Sequence, residues 1–201
     1  QPEVGVAVGL AWTQFGGEIL MIESRNIKGK GELILTGRLG EIMKESSSTA
    51  FSYVKLKLFE LGFDIDRIDS YNYHLHIPKG AVPKEGPSAG VTLAVSLVSL
   101  VTGIPVHNNL AMTGEITLRG RVLPVGGIRE KVIAAHRYGI KKVLLPHENR
   151  REFMEYVSDD IRDQLTVHFV SNMDEVLQHS LTGEINRPRP REKGLANPEL
   201  Q

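Results

Sequence analysis

The sequence predicts an α/β protein built on a mixed sheet, and three observations carry that expectation. Short runs rich in Val, Ile and Leu, bounded by Gly, Pro and Asn, recur at strand length along the chain. In the second half they alternate with stretches whose apolar residues fall at helical spacing. With 201 residues, 41% hydrophobic and 24% charged, the chain is long and apolar enough to bury one good core.

The elements follow in order. Residues 4–12 and 18–23 read as strands joined by a turn at Gln14-Phe15-Gly16-Gly17, and residues 27–31 as a second turn before a short strand over 32–35. Lys30 is followed by Gly31, so this glycine-rich turn lacks the Gly-x-x-x-x-Gly-Lys-Ser/Thr pattern of a phosphate-binding loop, and no other segment has it. Leu39, Ile42, Met43, Ala50, Phe51, Val54 and Leu58 keep helical spacing across the Ser46-Ser47-Ser48-Thr49 step, which predicts one long amphipathic helix to about Gly62. Tyr73, Leu75 and Ile77 alternate with His74 and His76, as in a strand with one buried face. The two histidines have no Glu, Asp or His partner at a spacing that signals a metal site.

The apolar block over 91–101 predicts a helix buried nearly all round. Short strands are expected over 110–113, 115–118 and 122–124, and Gly126-Gly127 opens a helix that runs from Ile128 to about Tyr138 and closes at Gly139. A strand over 142–146, a polar helix over 148–156, a strand over 166–170 and a helix over 174–181 complete the alternation. Residues 183–201 are polar and aperiodic and read as a mobile or vector-like tail.

Composition narrows the function classes. Lys+Arg and Asp+Glu are equal at 24 each, so net charge favours neither nucleic acid nor an anionic membrane as a partner. The absence of cysteine excludes a thiol nucleophile, a disulfide framework and Cys-ligated zinc, and fits a reducing compartment. The N-terminus carries no signal-peptide pattern and no run approaches a membrane span, so a soluble intracellular protein is expected. A first residue other than Met suggests a piece of a longer chain.

Ser88 is the candidate nucleophile. It stands where Pro83-Lys84-Glu85-Gly86-Pro87-Ser88-Ala89-Gly90 runs into the buried helix. Unpaired backbone N–H groups and the positive end of the helix dipole would there stabilise developing oxyanion charge. The same position also suits an ordinary serine N-cap. Lys131 is the second anchor: Ile128, Lys131, Val132 and Ala135 share one helical stripe, so a lysine sits among core-facing residues. Either it snorkels from the margin of the stripe, or burial lowers its pKa and makes a neutral amine available as a general base. A nearby hydroxyl or carboxylate would be needed to aim that amine, and Thr113 and Glu85 are the candidates by motif position.

Gly86-Pro87-Ser88-Ala89-Gly90 also matches the Gly-x-Ser-x-Gly nucleophile elbow, although Pro83 and Pro87 argue against the strand that such an elbow needs. The Ser-x-x-Lys template fails, because Val91 occupies its fourth position. An elbow-type acylhydrolase and a non-catalytic assembly module therefore stand as alternatives to a Ser-Lys hydrolase.

Six segments, in this order, resemble one family: Gly9-Leu10-Ala11-Trp12-Thr13, Gly37-Arg38-Leu39-Gly40-Glu41, His76-Ile77-Pro78, residues 84–90, Ala111-Met112-Thr113-Gly114-Glu115-Ile116, and Leu123-Pro124-Val125-Gly126-Gly127-Ile128-Arg129-Glu130-Lys131. They are similar to the proteolytic domain of Lon, the ATP-dependent serine protease. The resemblance implies that family's compact mixed-sheet fold, of the ribosomal-protein-S-five-domain-two-like kind, over residues 1–182, with 183–201 as a tail. It implies a dyad in which Ser88 attacks and Lys131 moves the proton, Thr113 orients the lysine, Glu85 stands where the family commonly carries Asp, and the Ser88 N–H joins the oxyanion hole. Trp12 lies in a family motif near the cleft but reads here as a core residue.

No cofactor or metal is implied for this domain. ATP and Mg belong to an AAA+ ATPase module expected upstream. The partners implied are unfolded protein or peptide substrates, bound as extended strands, and five further copies in a homo-hexamer, with no membrane. The location implied is the bacterial cytoplasm, with the mitochondrial matrix as the alternative.

Overall fold

A computed structural model describes residues 1–78 and 86–186. Strands β1 (Val6–Thr13) and β2 (Gly16–Lys28) form an antiparallel hairpin in which Val6 faces Glu23 and Thr13 faces Gly16. β3 (Leu33–Thr36) leads to α1 (Glu41–Glu60), a short α2 (Ile65–Asp69) and β4 (Tyr71–His76). Then come α3 (Gly90–Thr102), β5 (Leu110–Met112), β6 (Glu115–Ile116), β7 (Val122–Leu123) and α4 (Ile128–Arg137). β8 (Lys142–Pro146), a 3-10 turn at His147–Asn149, α5 (Arg150–Tyr156), α6 (Asp159–Arg162), β9 (Thr166–Val170) and α7 (Met173–Ser180) follow.

Seven strands form one mixed sheet in the order β3-β4-β2-β1-β5-β8-β9, and β6 and β7 form a separate antiparallel pair. Period-two alternation sends the side chains of β1, β2, β5, β8 and β9 into two cores. Ala7, Leu20, Ile22, Leu75, Leu110, Met112 and Leu144 face α1, α3 and α7. Leu10, Ala111, Val143 and Leu145 face the other way, toward α4 and α5. The sheet is thus the middle of three layers, which explains why β5 and β8 read as continuous apolar runs.

α3 lies at the centre of the larger core, with every residue from Gly90 to Ser99 buried. Its serines are satisfied rather than exposed: Ser96 Oγ donates to Gly5 O at 2.8 Å, Ser24 Oγ donates to Ser96 O at 3.0 Å, and Gly5 N donates to Ser99 Oγ at 2.9 Å. These bonds tie the entering chain to the helix without leaving a buried polar group unpaired.

Most expected elements are present with shifted ends. β2 runs on to Lys28, through the first residues of the expected second turn, because residues 23–28 pair with β4. α1 continues unbroken through the serine step: Ser47 and Ser48 return their hydroxyls to Met43 O and Lys44 O, the i−4 carbonyls of the same helix. α2 and α6, of 5 and 4 residues, are too short to show periodicity and the sequence reading misses them. Asp64 caps α2, its Oδ1 accepting from Asp66 N and Arg67 N. The tail reading falls outside the described residues from Arg187 onward.

The hairpin and α4 meet at Gly17. A Cβ there would lie 2.1 Å from the backbone oxygen of Glu130 and 3.0 Å from Ala134 Cβ. Gly17→Ala is therefore expected to push α4 off β2 and to destabilise the fold by about 1–3 kcal/mol, the usual scale of overpacking. Thermal unfolding followed by circular dichroism checks this, and an unchanged midpoint would contradict the close approach.

Candidate functional site

Three elements converge at one point: the start of α3, the end of β5 and the first turns of α4. Thr113 follows β5 directly and extends its parallel ladder, with Thr113 N donating to Leu144 O at 3.2 Å. Gly114 then pairs with the turn before α3. Gly114 N donates to Ser88 O at 2.9 Å and Val91 N donates to Gly114 O at 3.2 Å. Gly114 has to be small here, since a Cβ would lie 2.8 Å from Val122 Cγ1 and 3.0 Å from Val91 Cγ1. On the other side, Ser46 Oγ of α1 donates to Pro87 O at 3.4 Å.

Lys131 reaches this point from inside α4. It is 2% exposed, so it lies in the core stripe and does not snorkel. Its Nζ donates to Thr113 Oγ1 at 3.1 Å, and that hydroxyl in turn donates to Ser88 O at 3.3 Å. Thr113 thus joins the lysine amine to the serine backbone. The Ser88 carbonyl accepts twice, from Gly114 N and from Thr113 Oγ1, which uses both of its lone pairs and fixes that residue's backbone.

Ser88 is half-buried and precedes the helix by two residues. The N-cap of α3 is Ala89, in an αR conformation with no side-chain cap bond, so the reading of Ser88 as an ordinary N-cap does not hold. Among the described residues the Ser88 hydroxyl makes no hydrogen bond to Lys131; Thr113 is what links them. Glu85 lies outside the described residues.

Burial of the amine lowers the Lys131 pKa from 10.5 to about 8, and the negative charge of Glu152 acts in the opposite sense. An amine so placed is largely protonated at neutral pH yet holds a substantial neutral fraction just above it. It can therefore take a proton from a hydroxyl and give it back.

Other candidates resolve differently. Trp12 is not a core residue: it is 60% exposed, and its side chain packs where a Cβ on Gly127 would sit, at 2.9 Å, covering the N-terminus of α4. The alternation of the strand puts Trp12 on the α4 face, beyond the point where that helix covers the sheet. His74 Nε2 and His76 Nδ1 lie 2.8 and 2.7 Å from Thr36 Oγ1, on the sheet face opposite Tyr73 and Leu75. Among the described residues no group of three or more His, Asp or Glu could hold a metal ion. No histidine bonds to Ser88 there either, and residues 86–89 form turn rather than strand, so the elbow geometry is not met. Sequence reasoning missed Asn149, which is 5% exposed and bonds the turn ahead of α4. An Asn just before a helix reads as a cap, and nothing local points to a partner 24 residues earlier.

Comparison with known proteins gives a consistent picture. Residues 1–183 match a family model described as the Lon protease (S16) C-terminal proteolytic domain. The chain is 54% identical over 190 residues to a Lon protease of Aquifex aeolicus, covering 94% of this chain and 24% of that protein. It is 54% identical over 200 residues to a Lon protease of Syntrophomonas wolfei, covering 98% and 24%. A Lon protease of Bacillus thuringiensis is 51% identical over 181 residues, covering 90% and 23%. The chain thus spans about a quarter of the length of the curated relatives it matches.

The buried amine has a stability consequence independent of any reaction. The unfolded chain binds the Lys131 proton up to its ordinary pKa of 10.5, whereas the folded chain releases it near 8. The destabilising contribution is therefore full below pH 8 and is relieved as the pH rises toward 10.5. At neutral pH, Lys131→Met is expected to be more stable than the wild type by about 1–3 kcal/mol, with the difference shrinking through that window. Denaturant unfolding at several pH values measures it; a Met variant no more stable at neutral pH would contradict the burial.

Proposed function

The chain belongs to the Lon protease (S16) C-terminal proteolytic domain family, and from that premise we propose that its peptidase chemistry is carried by a Ser88–Lys131 dyad. The observation that supports this reading is the bond from Lys131 Nζ to Thr113 Oγ1, which holds a buried amine of lowered pKa against the residue that fixes Ser88.

In this mechanism neutral Lys131 takes the proton of Ser88 Oγ as that oxygen bonds to the scissile carbonyl carbon, and the carbonyl π pair moves to oxygen. The Ser88 and Ala89 N–H groups, beside the N-terminus of α3, would receive the oxyanion. The C–N bond then breaks, and the Lys131 ammonium returns the proton to the leaving amine. Water, activated by the same amine, hydrolyses the acyl-serine and regenerates the dyad. Thr113 keeps Nζ oriented through each transfer. Glu85 would join the charge network by virtue of its motif position alone.

The reading extends to the whole protein. Its relatives are about four times longer than this chain, and these residues lack a phosphate-binding loop, so ATP and Mg are assigned to a module outside them. That module would be the AAA+ ATPase, which unfolds misfolded and short-lived proteins and feeds them to this domain in a homo-hexamer.

Hydrolysis of an unstructured fluorogenic peptide by the full chain tests the dyad. Ser88→Ala and Lys131→Ala are each expected to lower kcat/KM by a factor on the order of 10³ or more with the fold intact. The wild-type rate should rise through about pH 8 as Lys131 deprotonates. Activity surviving in folded Lys131→Ala would overturn the dyad.

A further inference from the structure

α4 delivers Lys131, and what fixes α4 is the turn before it. Val125 in that turn is gripped by one buried side chain. Val125 N donates to Asn149 Oδ1 at 2.9 Å, and Asn149 Nδ2 donates to Val125 O at 2.9 Å. This is the pair of bonds a neighbouring strand would make, supplied by an amide from 24 residues away. The second Nδ2 hydrogen donates to Glu152 Oε2 at 2.9 Å, so both donors are used and the amide has one orientation that satisfies all its partners. Asn149 stands at the N-cap position of α5 yet makes no cap bond, its side chain being directed to Val125 instead. Two residues after Val125, Gly127 O accepts from Lys131 N at 2.9 Å, the first bond of the turn that carries the amine.

Among the described residues, Glu152 is the carboxylate whose charge acts on Lys131. The elements packed on α4 offer few others. β1 has no charged residue; β2 brings Glu18, Glu23, Arg25 and Lys28; α5 brings Arg150, Arg151, Glu152 and Glu155. On α4 itself Arg129 and Glu130 approach each other at 3.9 Å, His136 meets Gln164, and Arg137 donates to Gly17 O. Arg150 lies over the Phe169 ring.

We propose that Asn149 and Glu152 are a positioning pair for Lys131, the amide locking the turn that places the lysine and the carboxylate it holds setting the electrostatic field around the amine. The pair needs no contact with substrate. It acts through Lys131, and so rests on the Ser88–Lys131 reading.

The test is the pH dependence of kcat/KM for peptide hydrolysis by the full chain, in the wild type, Glu152→Gln, Glu152→Asp, Asn149→Ala and Lys131→Ala. Removing the carboxylate charge destabilises the ammonium, so Glu152→Gln should move the midpoint of the acid limb down by roughly half a pH unit or more. Glu152→Asp, which keeps the charge, should recover most of that shift. Asn149→Ala, which frees both the turn and the carboxylate, should lower kcat about tenfold or more and move the midpoint the same way. A Glu152→Gln midpoint equal to the wild type, with Lys131→Ala inactive, would overturn the pair and leave the dyad standing. Activity in folded Lys131→Ala would instead remove the dyad on which the pair depends. Should Asn149→Ala fail to fold, the comparison of Gln and Asp at position 152 decides alone.

Discussion

The structure around the site depends on a single hydrogen bond, from the buried Lys131 amine to Thr113 Oγ1. An ammonium taken out of water is costly unless a polar partner meets it. Thr113 is that partner, and meeting it requires the end of β5 and the first turns of α4 to come together. Because the same hydroxyl also donates to Ser88 O, the start of α3 is drawn to the same point. Three elements far apart in sequence are therefore held by one small polar chain, with Gly114 allowing the close approach. Removal from water is also what lowers the pKa of the amine.

The larger core makes this arrangement affordable to the fold by immobilising α3 along its length. Buried serines at 24, 96 and 99 return their hydroxyls to backbone groups of Gly5, Ser96 and Ile104, so the helix is held by apolar packing and by satisfied polar bonds at once. The smaller core does the same for α4 through Ile128, Val132 and Ala135. Lys131 reaches from α4 to the end of β5, where its Nζ meets Thr113 Oγ1.

Much of this was legible in the sequence because it is written in local periodicity. The Tyr73, Leu75, Ile77 alternation, the buried block after Ser88 and the lysine out of place beside Ile128, Val132 and Ala135 all report the faces they occupy. The ordered motifs brought Ser88, Thr113 and Lys131 together before any geometry. What was not legible is non-local or too short to be periodic. The Asn149 clamp on Val125 joins residues whose spacing carries no signal, and α2 and α6 are single turns. Trp12 misled because a large aromatic in a strand usually marks a core, whereas the sheet face it occupies opens to solvent beside Gly127.

The central claim is that a neutral Lys131 activates the Ser88 hydroxyl, and a covalent label tests it most directly. A peptide β-lactone opens by acylating the hydroxyl that attacks it, and peptide mapping by mass spectrometry locates the adduct. Labelling is predicted at Ser88 alone, at a rate that rises through about pH 8 and collapses in Lys131→Met. Label on another serine, or a Ser88 adduct that forms as fast without the lysine amine, would contradict the account.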